Sequence, residues 1–315
     1  MHQRNYIFVR TPLSLYASFK CLLSNKLSIA DTLSIVPCSL IDYFNDDFIG
    51  CKSDKITYDK VSSFFIFSLI LKSYTNKINV LILNDLGLYN KLLIVLLKCS
   101  NIYIIDDGLA SLNRSSKVSK ILLKISTIVS KFIGKKEISY FSLYPPSFEG
   151  QNGKFEKNLD GIINAKKKLF YKDILFYIDS APCLDGMSEQ LNIDITNFIK
   201  NYAVQRKKDL IILPHRRNSS ALKDDYVFKN YLPQNYFSFE SFYFTSTFYN
   251  CVFVTLYSGA ICMVDHRYER YYVKSNFEPQ LEKTAFEKIT FKKNLGVTRV
   301  YNLFKKTNVK EITYK

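Results

Sequence analysis

Short apolar runs alternate with helix-length segments along this 315-residue chain, and several of the runs end on residues capable of chemistry. Residues 79–83 (Asn-Val-Leu-Ile-Leu) read as a buried strand and 87–98 as a helix. Residues 102–105 then read as a second strand, which stops at Asp106-Asp107-Gly108. This spacing predicts parallel pairing, because two parallel strands need a crossover long enough to hold a helix. The chain opens in the same way. Residues 6–9 read as a first strand; Thr11 is placed to cap, and Pro12 to begin, a helix running to about Ser24.

The alternation breaks between 142 and 161. Pro145-Pro146, Gly150, Gly153 and Gly161 stand there among polar residues, the composition of a linker. Beyond it the pattern restarts, with a strand at 174–178, a helix at 188–206 and a strand at 210–213 ending on Pro214-His215. A further strand at 251–255 precedes Tyr257-Ser258-Gly259. A chain of this length divides naturally in two. The expected fold is α/β, two Rossmann-like domains whose parallel sheets face a central cleft, over residues 1–155 and 156–315.

Composition narrows the function classes. A hydrophobic content of 47% supports real cores and argues against disorder. The seven cysteines are scattered with no C-x-x-C pair and the three histidines are dispersed, which points to thiols in a cytoplasmic protein rather than a disulfide framework or a metal centre. The opening residues do not make a signal peptide. No apolar run approaches the ~18 residues that span a bilayer, so a soluble or peripheral protein is expected. The net charge of +16 favours anionic partners, whether nucleic acid, lipid or small substrate, although a lysine-rich solvated surface accounts for many of these charges. In 117–136, Lys117, Lys120, Lys124, Lys131 and Lys135 recur with helical spacing opposite an apolar face. That segment reads either as a surface helix packed on the sheet or as a basic amphipathic helix on anionic headgroups.

Three strand ends carry chemistry. Of the neighbouring carboxylates Asp106 and Asp107, one can face a cleft and, with its pKa raised by burial and its neighbour, act as a base on a hydroxyl; the pair is also ordinary turn chemistry. His215, next to Arg216 and Arg217, suits a phosphate: guanidinium grips oxygen, and the imidazolium donates as charge develops. Ser258, with Gly259 behind it, offers a hydroxyl and backbone N–H groups to an anion, or else a plain helix cap. Leu256 and Ala260 replace the glycines of a Gly-x-Ser-x-Gly elbow, which disfavours a serine hydrolase. No P-loop, Gly-x-Gly-x-x-Gly after a strand, His-Glu-x-x-His or metal-binding Asp-x-Asp is present. His266 is a lesser candidate for substrate contact.

Taken in order, these stretches resemble the bacterial sialyltransferases of the GT-B type, most of all the lipooligosaccharide sialyltransferase family (glycosyltransferase family 52), and more distantly the bacterial polysialyltransferases. Asp106-Asp107-Gly108 matches the acidic-acidic-Gly motif. His215 matches the His-Pro motif in part, with Arg216 where proline is expected, and Ser258 stands alone where a serine pair is usual. Val9-Arg10-Thr11-Pro12-Leu13 is similar to the family's opening.

The resemblance implies an inverting transfer, without metal or other cofactor, of sialic acid or a related nonulosonic acid from its CMP conjugate. The acceptor is a terminal sugar, usually galactose, of a surface glycolipid or oligosaccharide. Asp107 or Asp106 is then the base and His215 acts on the leaving CMP phosphate. Ser258, Gly259, Arg216 and Tyr257 surround that phosphate, while Gly108, Thr11 and Pro214 contact substrate. The donor sits mainly on the carboxyl-terminal domain, and the anionic inner membrane is a further partner. Two rivals are a GT-B glycosyltransferase using another nucleotide sugar and a basic nucleic-acid-binding protein. Against the latter, the lysines spread along the chain and no recognised binding motif occurs.

Overall fold

The computed structural model describes residues 4–38, 54–57, 60, 62–75, 78–83, 88–99, 101–105, 125, 128, 137–142, 153–155, 169–215, 238–277 and 296–314. The chain divides into two compact units, Met1–Ala165 and Lys166–Lys315.

The first unit runs β1 (Arg4–Phe8), α1 (Pro12–Ser24), β2 (Thr32–Val36), β3 (Asp54–Thr57), α2 (Ser63–Tyr74), β4 (Ile78–Leu83), α3 (Leu88–Leu96), β5 (Asn101–Ile105), β6 (Glu137–Ser142) and β7 (Gly153–Phe155). Its sheet has the order β3-β2-β1-β4-β5-β6-β7, with every pair parallel. The chain therefore winds outward from β1 to β3, returns beside β1 as β4, and winds out the other way, the doubly wound order of nucleotide-binding sheets. Strand residues alternate between faces. Tyr6, Phe8, Leu33, Ile35, Leu81, Leu83, Ile102 and Ile104 pack with Ile66 and Leu69 of α2 and Leu93, Ile94 and Leu97 in and after α3. Tyr103 points the other way, and its hydroxyl donates to Asn25 Oδ1 at the end of α1 over 3.0 Å. Helices thus cover both faces, which is why these strands read as continuous apolar runs.

Helix α1 starts where the sequence says it should. Thr11 Oγ1 accepts the Ser14 N–H at 3.1 Å and Ser14 Oγ accepts the Thr11 N–H at 3.0 Å, a reciprocal capping box with Pro12 in the first turn. The stretch 142–161 needs correction. It includes the end of β6 and all of β7, the edge strand of the first sheet, and the division between units falls after Ala165 rather than at 155. A glycine at a short edge strand looks in sequence like a linker glycine.

The second unit runs β8 (Leu169–Lys172), β9 (Ile174–Ile178), α4 (Glu189–Gln205), β10 (Asp209–Leu213), α5 (Phe239–Thr245), β11 (Ser246–Tyr249), β12 (Val252–Thr255), β13 (Glu269–Lys274), α6 (Gly296–Lys306) and β14 (Lys310–Thr313). Its main sheet, β10-β9-β12-β13-β14, is again wholly parallel, and β8 and β11 form a parallel pair of their own. Asp173 and Asn250 turn β8 into β9 and β11 towards β12 with φ of 55° and 52°, a left-handed conformation that Asp and Asn tolerate better than most. Asn250 Nδ2 donates to Asp173 Oδ1, fastening the two bends together.

One face of this sheet carries an aromatic core. Phe176 and Phe253 stack at 5.2 Å; both meet Phe248 edge-on, and Phe176 also meets Phe242 of α5. On the other face Tyr202 of α4 meets Tyr271. Arg270, 5% exposed, lies on the aromatic face, and its guanidinium donates to the carbonyls of Val264 (3.1 Å) and Thr307 (2.6 Å). Burial lowers its pKa. Among the described residues no helix is long and apolar enough to cross a membrane.

Candidate functional site at the second switch point

In an open parallel sheet, ligands bind beyond the carboxyl ends of the strands where the winding reverses. In the second unit that point lies between β9 and β12, since the chain goes from β9 out to β10 and returns on the other side as β12. Leu213, Ile178 and Thr255 stand level in the register, so β10, β9 and β12 all end in one row. The residues just past this row are Pro214 and His215, Asp179 and Ser180, and Leu256, Tyr257 and Ser258.

Asp179 is the residue that sequence reasoning missed. It is 6% exposed, and its carboxylate accepts the Ala181 N–H on Oδ1 (2.9 Å) and the His215 N–H on Oδ2 (3.3 Å). Its own N–H donates to the Leu213 carbonyl at 2.9 Å. One side chain thereby ties the end of β9 to the end of β10 and fixes the backbone that carries His215. Ala181 has φ 52° and ψ 51°, costly for a residue with a Cβ, and the Asp179 bond holds it there. The signal lay in Asp179-Ser180-Ala181-Pro182 directly after a strand, an Asx-turn sequence before a proline. Burial, then the Asp179 carboxylate and the Cys183 thiol, push the Tyr177 hydroxyl far up. Burial, then Glu189 and Asp179, raise the Cys183 thiol, which keeps it protonated and a poor nucleophile.

A second tie joins β9 to β12. The buried Thr255 hydroxyl donates to the Ile178 carbonyl at 2.8 Å and accepts the Ser258 N–H at 3.0 Å. With its proton so used, Thr255 Oγ1 accepts from the Ser180 hydroxyl 3.3 Å away, and Ser180 Oγ in turn accepts the Tyr257 N–H at 3.2 Å. These bonds change two expectations. The N–H groups of Tyr257 and Ser258 are engaged within the protein, and the Tyr257 ring is buried at 7% exposure, so Tyr257 builds the turn and does not offer an anion its N–H. Ser258 occupies the capping position of the 3-10 turn Gly259–Met263, yet its side chain makes no capping bond. It is half-buried, whereas Gly259 is buried.

His215 and Pro214 are half-buried at the end of β10. His215 and Ser258 leave strands on either side of β9, roughly 10 Å apart across two strand spacings. Their side chains therefore reach one ligand group only by converging over the end of β9. Thr11 is committed to its capping box in the first unit. His266 is exposed, with Nδ1 3.3 Å from Asp265 Oδ1. Asp106, Asp107, Gly108, Arg216 and Arg217 lie outside the described residues, although β5 ends immediately before Asp106. Of the segment 117–136, Ile125 and Ile128 are described; both are helical and exposed. Among the described residues no group of three or more His, Cys, Asp or Glu side chains gathers to hold a metal ion.

The fold and this row of strand ends define a doubly wound, parallel α/β protein. No family model matches the chain, and no curated protein is significantly similar to it.

Proposed function

We propose that the protein is a sialyltransferase-like glycosyltransferase of the GT-B arrangement. In this reading it transfers a nonulosonic acid from its CMP conjugate to a terminal sugar of a bacterial surface glycan, working at the inner face of the cytoplasmic membrane. The observation that carries the reading is the level row of β10, β9 and β12 at a topological switch point, which brings the His215 segment and the Ser258 turn to one end of one sheet. A switch point is where a nucleotide binds in such a sheet. CMP presents a single phosphate, small enough for one imidazole and one hydroxyl approaching from the two sides of β9.

In the reaction, the acceptor hydroxyl oxygen attacks the anomeric carbon of the donor as the bond from that carbon to the phosphate oxygen breaks. The hydroxyl proton passes to the carboxylate of Asp107 or Asp106. The electron pair leaves with CMP, whose developing charge is met by His215 and Arg216, with the Ser258 hydroxyl donating to the same phosphate. Asp179 takes no part in bond making; it sets where the backbone of His215 lies.

Thermal unfolding in EDTA with CMP, UMP, GMP or a short DNA duplex tests the donor. At about 100 times Kd a ligand adds about 2.7 kcal/mol. That moves the midpoint by several degrees in a unit of this size, at about 2–4 °C per kcal/mol. A shift with CMP alone is expected. A shift with another nucleotide only would discard the donor, and one with DNA only would discard the enzyme. Asp106→Ala and Asp107→Ala then separate the two carboxylates: loss of turnover with CMP binding intact identifies the base, and unimpaired transfer in both refutes the assignment.

A further inference from the structure

Helix α2 is apolar on two opposite faces. Ile66, Leu69 and Ser73 are buried, the two apolar ones in the core beneath the first sheet. Phe64, Phe67, Leu71 and Tyr74, spaced three, four and three residues apart, form a stripe on the outside, with exposures of 79%, 57%, 53% and 47%. The Tyr74 hydroxyl reaches the Leu96 carbonyl at 3.5 Å, and the side chain of Leu96 is exposed too, so the stripe extends onto the end of α3. A helix apolar all round belongs in a core or against another apolar phase. A contiguous set of two phenylalanines, a tyrosine and two leucines on a surface marks an interaction site.

The charge around the stripe identifies the other phase. Exposed Lys72 lies in the last turn of α2, and Lys60 and Lys98 are exposed nearby in the chain. Neither 62–75 nor 88–99 contains an acidic residue. A second copy of the chain, paired about a two-fold axis, would set these lysines against one another with no carboxylate among the described residues of the two helices to offset them. An anionic bilayer offers both requirements at once: acyl chains for the phenylalanines and leucines, and headgroup phosphates for the lysines, with the tyrosine at the boundary.

We infer that the outer face of α2 is a docking surface for an anionic phospholipid bilayer, with Phe64, Phe67 and Leu71 entering the headgroup–acyl boundary. This deepens the membrane part of the proposed function and rests on that part, not on the donor or the transfer chemistry.

The test is flotation of the whole protein with vesicles of phosphatidylcholine alone or mixed with phosphatidylglycerol. Binding to the mixed vesicles is expected, weakened by salt and by Lys72→Glu. The double variant Phe64→Ser/Phe67→Ser should lose on the order of 10- to 100-fold in partitioning, because it withdraws two aromatic side chains from the bilayer. Both side chains are exposed, so its thermal midpoint and its CMP-induced shift should match the wild type. Failure of the wild type to bind the mixed vesicles overturns the inference, as does equal binding by the double variant. A wild-type dimer that the double variant splits, without vesicle binding, assigns the face to a second copy and also overturns it. Vesicle binding through α2 with no response to CMP would leave the docking surface standing and sink the donor; a CMP response without vesicle binding would do the reverse.

Discussion

Removing the Asp179 carboxylate is the sharpest test of how the site is built. Asp179→Ala takes away the acceptor for two N–H groups, Ala181 at 2.9 Å and His215 at 3.3 Å, in a place only 6% exposed. Hydrogen bonds to a charged group contribute about 1.5–3 kcal/mol each, and an N–H left buried without a partner costs about 1–3 kcal/mol. The bond to His215 is long and counts towards the lower end. Against this stands the desolvation relieved by deleting a buried charge, which offsets part of the loss. The balance is a destabilisation of about 3–5 kcal/mol, or about 6–20 °C in the unfolding midpoint for a unit of this size. Asp179→Asn keeps one oxygen and turns an amide NH2 towards the other N–H, so it should lose roughly half as much. Circular dichroism melts with and without CMP read both effects. CMP affinity should fall about tenfold in the alanine variant as the His215 backbone loses its tether. If both variants melt with the wild type and bind CMP equally, the carboxylate does not organise this end of the sheet.

Three further outcomes follow from individual contacts. Tyr177 is buried and its hydroxyl has no hydrogen-bond partner among the described residues, so Tyr177→Phe should leave the melting point unchanged or raise it by up to about 1 kcal/mol equivalent; a clear fall would contradict this. Thr255→Val strands the Ile178 carbonyl, the Ser258 N–H and the Ser180 hydroxyl, and should cost about 2–4 kcal/mol where Thr255→Ser costs markedly less; equal losses would show that the methyl, not the hydroxyl, matters. Burial pushes the Tyr243 hydroxyl up to about 12 from its ordinary 10. A folded-state pKa above the unfolded one gives stability that is complete below pH 10 and is lost as the pH climbs towards about 12, here about 2–3 kcal/mol. Alkaline melts followed alongside tyrosinate absorbance check this, and ionisation of all tyrosines near pH 10 without loss of fold would contradict it.

What could be read from the sequence divides by how local the signal is. Thr11-Pro12 specifies the start of α1 because cap and first turn are adjacent in the chain, and the doubly buried strands β4, β5, β9 and β12 announce themselves as apolar runs. The residues at the ends of β10 and β12 were legible for the same reason. Strands β13 (Glu-Arg-Tyr-Tyr-Val-Lys) and β14 (Lys-Glu-Ile-Thr) were not, since β13 carries charge at both ends and within, and β14 is an edge strand that tolerates polar residues on both sides. Asp179 escaped because its partner N–H lies 36 residues away in the chain, and a lone Asp after a strand looks like any turn former. The outer face of α2 escaped because a run such as Phe64-Phe65-Ile66-Phe67 says only that the segment is apolar, not that one side will be left facing water.

The buried guanidinium of Arg270 makes β13 depend on a residue translated after it. Its two acceptors are the Val264 carbonyl, just past the 3-10 turn that follows Ser258, and the Thr307 carbonyl, at the end of α6. Translation yields Arg270 well before Thr307. In that interval, withdrawing the cation from water would leave donors unmet. A ribosome stalled short of Thr307 should therefore display a second unit in which the ties of the switch point, from Asp179, Ser180 and Thr255, are all translated while the cation of β13 still lacks one of its two acceptors.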